Sequence, residues 1–320
     1  MSVYIERIEP PYAPEPHDRP PVAAAVGTFD GLHRGHQAII RRTVEAAKAR
    51  RAEAAVITFH PHPRTVLGKA LISTYLTPLE EKIFLLERYG IERLYLIRFT
   101  PELSAMTPDD FREKLLRPLS IVHFVVGDDF RFGHRAAGRP HDLAGPDSGV
   151  RVDVVPPVME EGEKIGSSRI RAALERGDVA MANRLLGRPY VLSGEVVRGD
   201  GRGRTIAFPT ANVALSAPYF LPRYGVYGVS ANLGARRYPG VMNVGVRPTV
   251  GKDEAPNVEV HLIDFDGDLY GEKLRVELLF HIREERKFPD LEHLKAQIAA
   301  DVAFAKMQFV WYTSTDHTQP

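Results

Sequence analysis

Residues 25–36 read Ala25-Val26-Gly27-Thr28-Phe29-Asp30-Gly31-Leu32-His33-Arg34-Gly35-His36, and the change of texture inside this stretch decides the fold. Up to it, Val22–Phe29 is an apolar run suited to a buried strand; beyond it, Gly35–Arg51 has helical spacing. A glycine-bearing turn between strand and helix is where a parallel α/β sheet presents its ligand site. Gly27 and Gly31 let the backbone approach a ligand closely, and the helix start offers unpaired N–H groups to a phosphate. His33 and His36, three apart at that start, share one face and aim at the same phosphate. Gly27, Phe29, Asp30, Gly31 and Gly35 are therefore candidate nucleotide contacts. Asp30 reads equally well as an Asx-turn former. A metal pair that recruits His60 and His62 is the competing use of the histidines, but a closed zinc site needs more ligands than the motif offers.

Working outward, apolar runs at Ala54–Phe59, Arg93–Phe99, His123–Gly127 and Val150–Pro156 alternate with helical patterns at Pro78–Gly90 and Pro108–Leu119. In Pro78–Gly90 the apolar residues Leu79, Ile83, Leu86 and Tyr89 fall three and four apart, as a one-sided helix requires. The alternation implies an N-terminal Rossmann-like α/β domain, a parallel sheet covered on both faces. Helices over Ser167–Gly177 and Asp178–Leu186, split by a glycine stop and an aspartate N-cap, close that region. From Gly187 short strand patterns follow without helices: Tyr190–Gly199, Gly225–Leu233, Arg237–Val246, Val258–Phe265 and Lys273–Ile282. They suggest a small antiparallel β-barrel. A final helix, Leu291–Phe309, places Leu291, Leu294, Ile298, Val302, Ala305 and Phe309 on one stripe. The expected fold class is thus α/β plus all-β, with domains at 1–186 and 187–320.

The chain has 320 residues, which at roughly 150 per domain predicts the same two domains. Lys+Arg 42 against Asp+Glu 41 leaves a net charge of +1, without the basic excess of a dedicated nucleic-acid binder. With no cysteine, disulfides, thiolate metal sites and cysteine nucleophiles are excluded. No apolar run approaches the ~18 residues of a membrane span, and the N-terminal stretch lacks an apolar signal core. These features lead us to expect a cytoplasmic protein working on small molecules, with neither nucleic acid nor membrane as partner, as a monomer or weak homo-oligomer.

A second candidate site lies at 194–212. Gly199, Gly201 and Gly203, interleaved with Arg202 and Arg204, make a backbone flap suited to a triphosphate; the same run also reads as a solvated hairpin loop. Thr210 and Asn212 alternate on an extended segment, and their oxygens are hard ligands for Mg²⁺ bridging phosphates. Glu259, between Val258 and Val260, reads on periodicity alone as the polar face of a strand.

The first stretch resembles the HxGH nucleotidyltransferases, which attack the α-phosphate of a nucleoside triphosphate and release pyrophosphate. Val126-Gly127-Asp128-Asp129-Phe130-Arg131-Phe132-Gly133, Thr58-Phe59-His60-Pro61-His62-Pro63 and Ile165-Gly166-Ser167-Ser168-Arg169-Ile170-Arg171 resemble its flavin-adenylating branch. The resemblance implies that His33, His36 and Arg171 stabilise phosphate charge and that Ser167 and Ser168 contact the nucleotide. It gives Asp129 to Mg²⁺ or to the nucleotide, without separating the two. Arg131 and Phe132 would face the isoalloxazine, Phe132 also reading as core. FMN brings an ionised phosphate as nucleophile, so the site needs oriented donors and cations more than a strong base.

Pro209-Thr210-Ala211-Asn212 resembles the signature of the riboflavin kinases, as do Gly225–Val229, Asn243–Thr249, Asn257–Phe265 and Asp268–Gly271. That resemblance makes Glu259 the general base toward the ribityl 5′-hydroxyl, and puts Arg283 and Phe288 in a flavin-covering segment, Arg283–Phe288. Together the two resemblances run from about Val22 to Phe309, in the order of the bifunctional riboflavin kinase/FMN adenylyltransferase family. They imply that riboflavin and ATP give FMN in the C-terminal domain, and that FMN and ATP give FAD in the N-terminal one, with Mg²⁺. Three positions depart from the pattern: Gly166 for serine, Ala207 for glycine and Val250 for an aromatic residue. Competing readings are another HxGH transferase with a phosphopantetheine or polyol-phosphate substrate, and a barrel that binds flavin or single-stranded RNA without chemistry.

Overall fold

The computed structural model describes residues 2–12, 19–68, 74–145, 148–198, 208–246 and 256–315, with side chains to residue 309. Gly199, Gly201, Gly203, Arg204, Ala207 and Val250 lie outside the described residues. Contacts divide the chain into two compact units, Met1–Ser167 and Ser168–Pro320.

In the first unit the elements run β1 (Tyr4–Ile8), β2 (Val22–Val26), α1 (Arg34–Arg50), β3 (Glu53–His60), α2 (Pro63–Val66), α3 (Leu79–Arg88), β4 (Arg93–Arg98), α4 (Pro101–Ala105), α5 (Pro108–Asp110), β5 (Ile121–Gly127) and β6 (Arg151–Val155). A hairpin of β7 (Met159–Glu160) and β8 (Glu163–Lys164) follows. The six long strands form one sheet in the order β1-β4-β3-β2-β5-β6, every neighbouring pair parallel. Strand β2 has all five residues buried: Val22, Ala24 and Val26 join the core on one face, Ala23 and Ala25 the core on the other. That two-sided burial is why its sequence is continuously apolar instead of alternating. Chain order proceeds β2, β3, β4 to one side of β2 and then β5, β6 to the other. The reversal falls between the carboxyl ends of β2 and β5, where open parallel sheets bind ligands.

Several elements differ from the sequence expectation, among them the short α2, α4, β7 and β8, which it did not include. Strand β1 was not expected: it is a sheet edge in which only Ile8 is buried, so its pattern carries little apolar signal. The helix expected over Pro108–Leu119 is a single turn, α5, continued as a π-helix over Phe111–Leu116 and a 3₁₀ turn over Arg117–Leu119. Pro118 has no N–H to continue an α-helix, and Ser120 ends the segment at φ 55°.

The second unit comprises α6 (Ser167–Glu175, whose first residue belongs to the other unit), α7 (Val179–Leu186), β9 (Tyr190–Val197), β10 (Ala211–Leu215), β11 (Gly225–Leu233), β12 (Arg236–Val246), β13 (Pro256–Leu262), β14 (Lys273–Glu284) and α8 (Leu291–Thr315). The strands close a barrel in the order β10-β13-β12-β11-β14-β9, with every described pair antiparallel. Strand β10, only five residues long, was read from sequence as an extended segment at Thr210 and Asn212 and not as a full strand of the barrel. Two glycines permit the closure: a side chain at Gly194 would strike the Ala214 carbonyl, and one at Gly228 the Phe280 ring. Helix α7 is pinned to the barrel by Asn183, whose Nδ2 donates to the Leu278 carbonyl at 2.9 Å and whose Oδ1 accepts from the Tyr190 N–H at 2.8 Å. The Arg223 N–H donates to the Leu174 carbonyl of α6 at 2.8 Å.

Helix α8 packs Val302 and Ala305 against Val226, Val241, Ile263 and Phe280. Its stripe departs from expectation in two places. Leu291 is exposed, and the carboxylate of Asp301, 3% exposed, lies inside the stripe. Arg283 of β14 meets it with Nε at 3.1 Å from Oδ1 and 2.9 Å from Oδ2, and with Nη2 at 2.8 Å from Oδ2.

Candidate active sites

The turn after β2 is built by its own strain and by ties from neighbouring elements. His33 is the N-cap of α1, its Nδ1 accepting from the His36 N–H at 3.3 Å. The His33 and His36 rings stack at 3.7 Å between centroids, and Phe29 meets His36 edge-on at 5.2 Å. Gly35 leaves room beneath that stack, since a Cβ there would lie a tight 3.2 Å from the His33 ring. Gly31 holds φ 92°, a conformation glycine adopts without steric cost.

The Asp30 carboxylate reaches beyond its own turn. Asp30 is 2% exposed, and its Oδ1 accepts from the backbone N–H groups of Leu76 and Thr77 at 2.9 and 3.1 Å. Its carbonyl accepts from Ser167 Oγ at 2.7 Å. Asp30 therefore joins the turn to the segment entering α3, and Ser167 joins it to the start of α6. The Thr28 carbonyl accepts from both Thr58 Oγ1, at 3.1 Å, and Lys82 Nζ, at 2.8 Å. Lys82 was missed, although the sequence held a signal: it falls on the buried stripe of α3 between Leu79 and Leu86, where a lysine needs a reason. Burial takes its ammonium from 10.5 down to about 8, with Asp30 opposing the shift. His60 is also lowered, by burial first and then by the charges of Lys82 and Arg7.

At the end of β5, Asp128 and Asp129 share the ammonium of Lys164, at 3.1 and 2.8 Å. The same hairpin's Glu160 pairs with Arg34 at 2.5 Å. The β7–β8 hairpin thus makes ion pairs with the first residue of α1 and with the loop after β5. Neither Lys164 nor Glu160 was singled out from sequence. Arg131 folds back, its Nη1 donating to the Phe130 and Asp128 carbonyls at 2.6 and 3.2 Å. Phe132, 6% exposed, sits in the core against Phe111 at 5.3 Å and Phe130 at 5.8 Å. Its core reading is the one its surroundings match. Ser168 and Arg171 lie on α6, where the Arg171 guanidinium stands 5.4 Å over the Phe220 ring. At Gly166 a Cβ would meet nothing within 4 Å, so the space the family's serine would fill is open.

In the barrel, Val258, Val260 and Leu262 face the interior, and Asn257, Glu259 and His261 alternate to the other side. Asn212 of β10 and Asn243 of β12 stand opposite Glu259 in the strand register, so the three share a face. Asn257 Nδ2 donates to Glu259 Oε1 at 2.7 Å. His261 Nδ1 lies 2.8 Å from the Pro209 carbonyl, and its ring meets Phe208 edge-on at 5.6 Å. The contact fixes the segment carrying Thr210 and Asn212 beside the strand carrying Glu259. Arg283 is engaged by Asp301 and stands 5.6 Å from the Phe288 ring, which Arg286 approaches at 4.9 Å. Phe288 lines an open cavity of about 430 Å³ with Arg286, Lys287, His293 and Gln297.

Among the described residues no group of three or more His, Cys, Asp or Glu side chains is placed to hold a metal ion. A hydroxyl and an amide oxygen, as at Thr210 and Asn212, suit a Mg²⁺ that takes its remaining ligands from phosphates and water. No helix among the described residues is long and apolar enough to cross a membrane.

Known proteins divide along the same lines. The FAD synthetase family matches residues 15–169, and the riboflavin kinase family residues 186–309. A bifunctional riboflavin kinase/FMN adenylyltransferase of Bacillus subtilis is 42% identical, over 87% of this chain and 89% of its own length. The protein of that name from Escherichia coli is 40% identical, over 89% of this chain and 91% of its own. A crystal structure described as a macrolide-efflux protein from Streptococcus pneumoniae superposes with a TM-score of 0.85 at 32% identity, covering 95% of this chain and 99% of that one.

Proposed function

Because the chain belongs to the bifunctional riboflavin kinase/FMN adenylyltransferase family, we propose a division of labour among its residues for the two reactions. It is an ATP-dependent transferase that converts riboflavin and ATP to FMN and ADP, and FMN and ATP to FAD and pyrophosphate.

For the kinase step, Glu259 is the general base. It takes the proton of the ribityl 5′-hydroxyl as that oxygen attacks the γ-phosphorus of ATP and ADP departs. The observation that carries this assignment is the position of Glu259 between Asn212 and Asn243, with its Oε1 held by Asn257 at 2.7 Å. The hydrogen bond leaves Oε2 for the substrate and fixes the carboxylate plane. Thr210 and Asn212 are the residues that would hold Mg²⁺. When bound, the ion supplies positive charge against the phosphates. Phe288 and the cavity it lines receive the isoalloxazine, with Arg283 at its edge; Gly199, Gly201, Gly203 and Arg204, outside the described residues, are assigned to the triphosphate.

For the adenylyl step, a phosphate oxygen of FMN attacks the α-phosphorus and pyrophosphate leaves. His33, His36 and Arg171 stabilise the charge that develops, with Ser167 and Ser168 at the start of α6. The N–H groups at the start of α1 add to this field. Gly27, Phe29, Gly31 and Gly35 shape the turn around the nucleotide. Asp30 serves it from beneath as a tie, and Asp129 serves Mg²⁺ or the nucleotide once released from Lys164. Arg131 and the adjoining aromatic residues mark the flavin side of this site.

The family boundaries leave residues 170–185 between the two matches, and we assign α6 and α7 to the barrel unit for folding. The near balance of charge supports a cytoplasmic enzyme of small molecules, monomeric or weakly self-associating, without nucleic-acid or membrane partners. The test is an incubation of the chain with riboflavin and Mg-ATP, with FMN and FAD separated by chromatography. Glu259→Ala should stop FMN formation and spare conversion of supplied FMN to FAD. His36→Ala should do the reverse. FAD formation surviving in His36→Ala would remove the adenylyl assignment, and FMN formation surviving in Glu259→Ala the kinase assignment.

A further inference from the structure

The turn between β2 and α1 holds two non-glycine residues in the left-handed region, Phe29 at φ 48° and Leu32 at φ 44°, exposed by 1% and 0%. Each such residue is strained and persists only where the surroundings over-determine it. Here the surroundings are the ties described above: Thr58 and Lys82 on the Thr28 carbonyl, the Leu76 and Thr77 N–H groups on the Asp30 carboxylate, and Ser167 on the Asp30 carbonyl. Lys82 brings the one full positive charge in this set. It is 7% exposed and donates to an uncharged carbonyl. A buried ammonium is costly to keep, and a neutral side chain of the same length would pack on α3 without that cost.

We infer that Lys82 is a positioning residue for adenylyl transfer, its ammonium holding the Thr28 carbonyl so that the strained turn sets His33 and His36 on the α-phosphate. The inference rests on reading that turn as the adenylylation site. A charge-assisted hydrogen bond is roughly twice as strong as a neutral one, so the protonated side chain holds the turn firmly and the free amine holds it weakly. The groups facing Lys82 are Asp30 from the turn and His60 from the end of β3, with Glu81 buried beside it on α3. Asp30 favours the ammonium, whereas burial opposes it and brings the group to about 8. Adenylyl transfer should therefore weaken as the pH rises through 8. The fold responds in the opposite sense. A lysine whose pKa is lower folded than unfolded penalises the folded state below about 8, and the penalty lifts between 8 and 10.5. Loss of rate accompanied by a gain in stability is not what a purely structural lysine produces.

The test uses the full chain, whose riboflavin phosphorylation is an internal control in the same preparation. Lys82→Met should lower kcat for FAD formation from FMN and Mg-ATP about ten- to hundredfold, as small misplacements of catalytic groups do. KM for ATP should change by less than about threefold, and FMN formation should be unaltered. In the unsubstituted chain kcat for FAD formation should fall about tenfold per pH unit above 8, while Lys82→Arg, charged throughout, stays flat. Should Lys82→Arg fail to fold, the profile of Lys82→Met serves instead, low and independent of pH from 7 to 9.5. Full kcat in Lys82→Met, parallel loss of the kinase, or the same pH profile in the unsubstituted chain and in a folded Lys82→Arg would each overturn the inference. His36→Ala in the same assay separates the two levels. If it retains FAD formation, the site assignment fails; if it is inactive while Lys82→Met is not, only the role of Lys82 fails.

Discussion

Asp301→Ala should unfasten α8 from the barrel, and the structure sets the size of the effect. The Asp301 carboxylate is 3% exposed and receives Arg283 through three contacts of 2.8–3.1 Å, together with the Gln297 amide at 2.7 Å. Removing one partner of a buried ion pair costs about 3–5 kcal/mol, because the other charge is left uncompensated. The Arg283 side chain keeps 19% of its surface in water, which argues for the lower end, about 3 kcal/mol. For a unit of this size each kcal/mol moves the melting temperature by about 2–4 °C, giving a fall of about 6–12 °C. The assay is scanning calorimetry of the full chain, with KM for riboflavin measured alongside. The transition that follows kinase activity should shift and the one that follows adenylyl transfer should not. KM should rise, since Arg283 also stands 5.6 Å from Phe288. The double substitution Arg283→Met with Asp301→Leu should recover most of the lost stability, since a well-packed apolar pair can replace a buried salt bridge. A melting temperature within about 1 °C of the parent for Asp301→Ala, or a double variant no better than the single, would refute the reasoning.

A fragment beginning at Ser168 should phosphorylate riboflavin and melt well above one beginning at Gly187, because the latter lacks both Asn183 hydrogen bonds to the barrel; equal melting temperatures would contradict this. Asn183→Ala in the full chain should cost about 2 kcal/mol, read from urea unfolding monitored by kinase activity. Asn257→Ala should lower kcat for FMN formation and leave KM for riboflavin near its parent value, since Asn257 orients Glu259 at 2.7 Å. The urea midpoint of the parallel-sheet unit should rise as the pH is taken from 8 toward 10.5, and Lys82→Met should abolish that rise.

The turn after β2 was legible because strand, glycines and paired histidines are adjacent in sequence. What supports that turn was not. Asp30 finds its partners at Leu76 and Thr77, and Thr28 finds Lys82, contacts created only when β2 and α3 pack together. An aspartate beside a glycine suggests a local turn, and nothing local announces partners 46 and 47 residues away. Phe132 shows the same limit: its neighbours in sequence suggest a ligand face, and Phe111 across the fold gives it a core position. In the barrel, alternation marked β13 clearly but could not say that Asn212 and Asn243 flank Glu259, which is a matter of register. Asp301 beside the apolar stripe of α8 drew no notice in the sequence, because its partner, Arg283 on β14, belongs to a different element.

The closed barrel also dictates an order of birth. Its first strand, β9, is flanked by β10 and by β14, so Tyr190 waits for Leu278. Until the ribosome has released Lys273–Glu284, both β9 and β11 present unpaired backbone edges, the condition that invites misassembly in slowly closing β-structures. The parallel sheet suffers no such delay, since its last strand ends at Val155. A nascent chain thus carries a finished sheet well before its barrel can shut. Slow codons or chaperone contacts between Tyr190 and Glu284 would act on the kinase half alone.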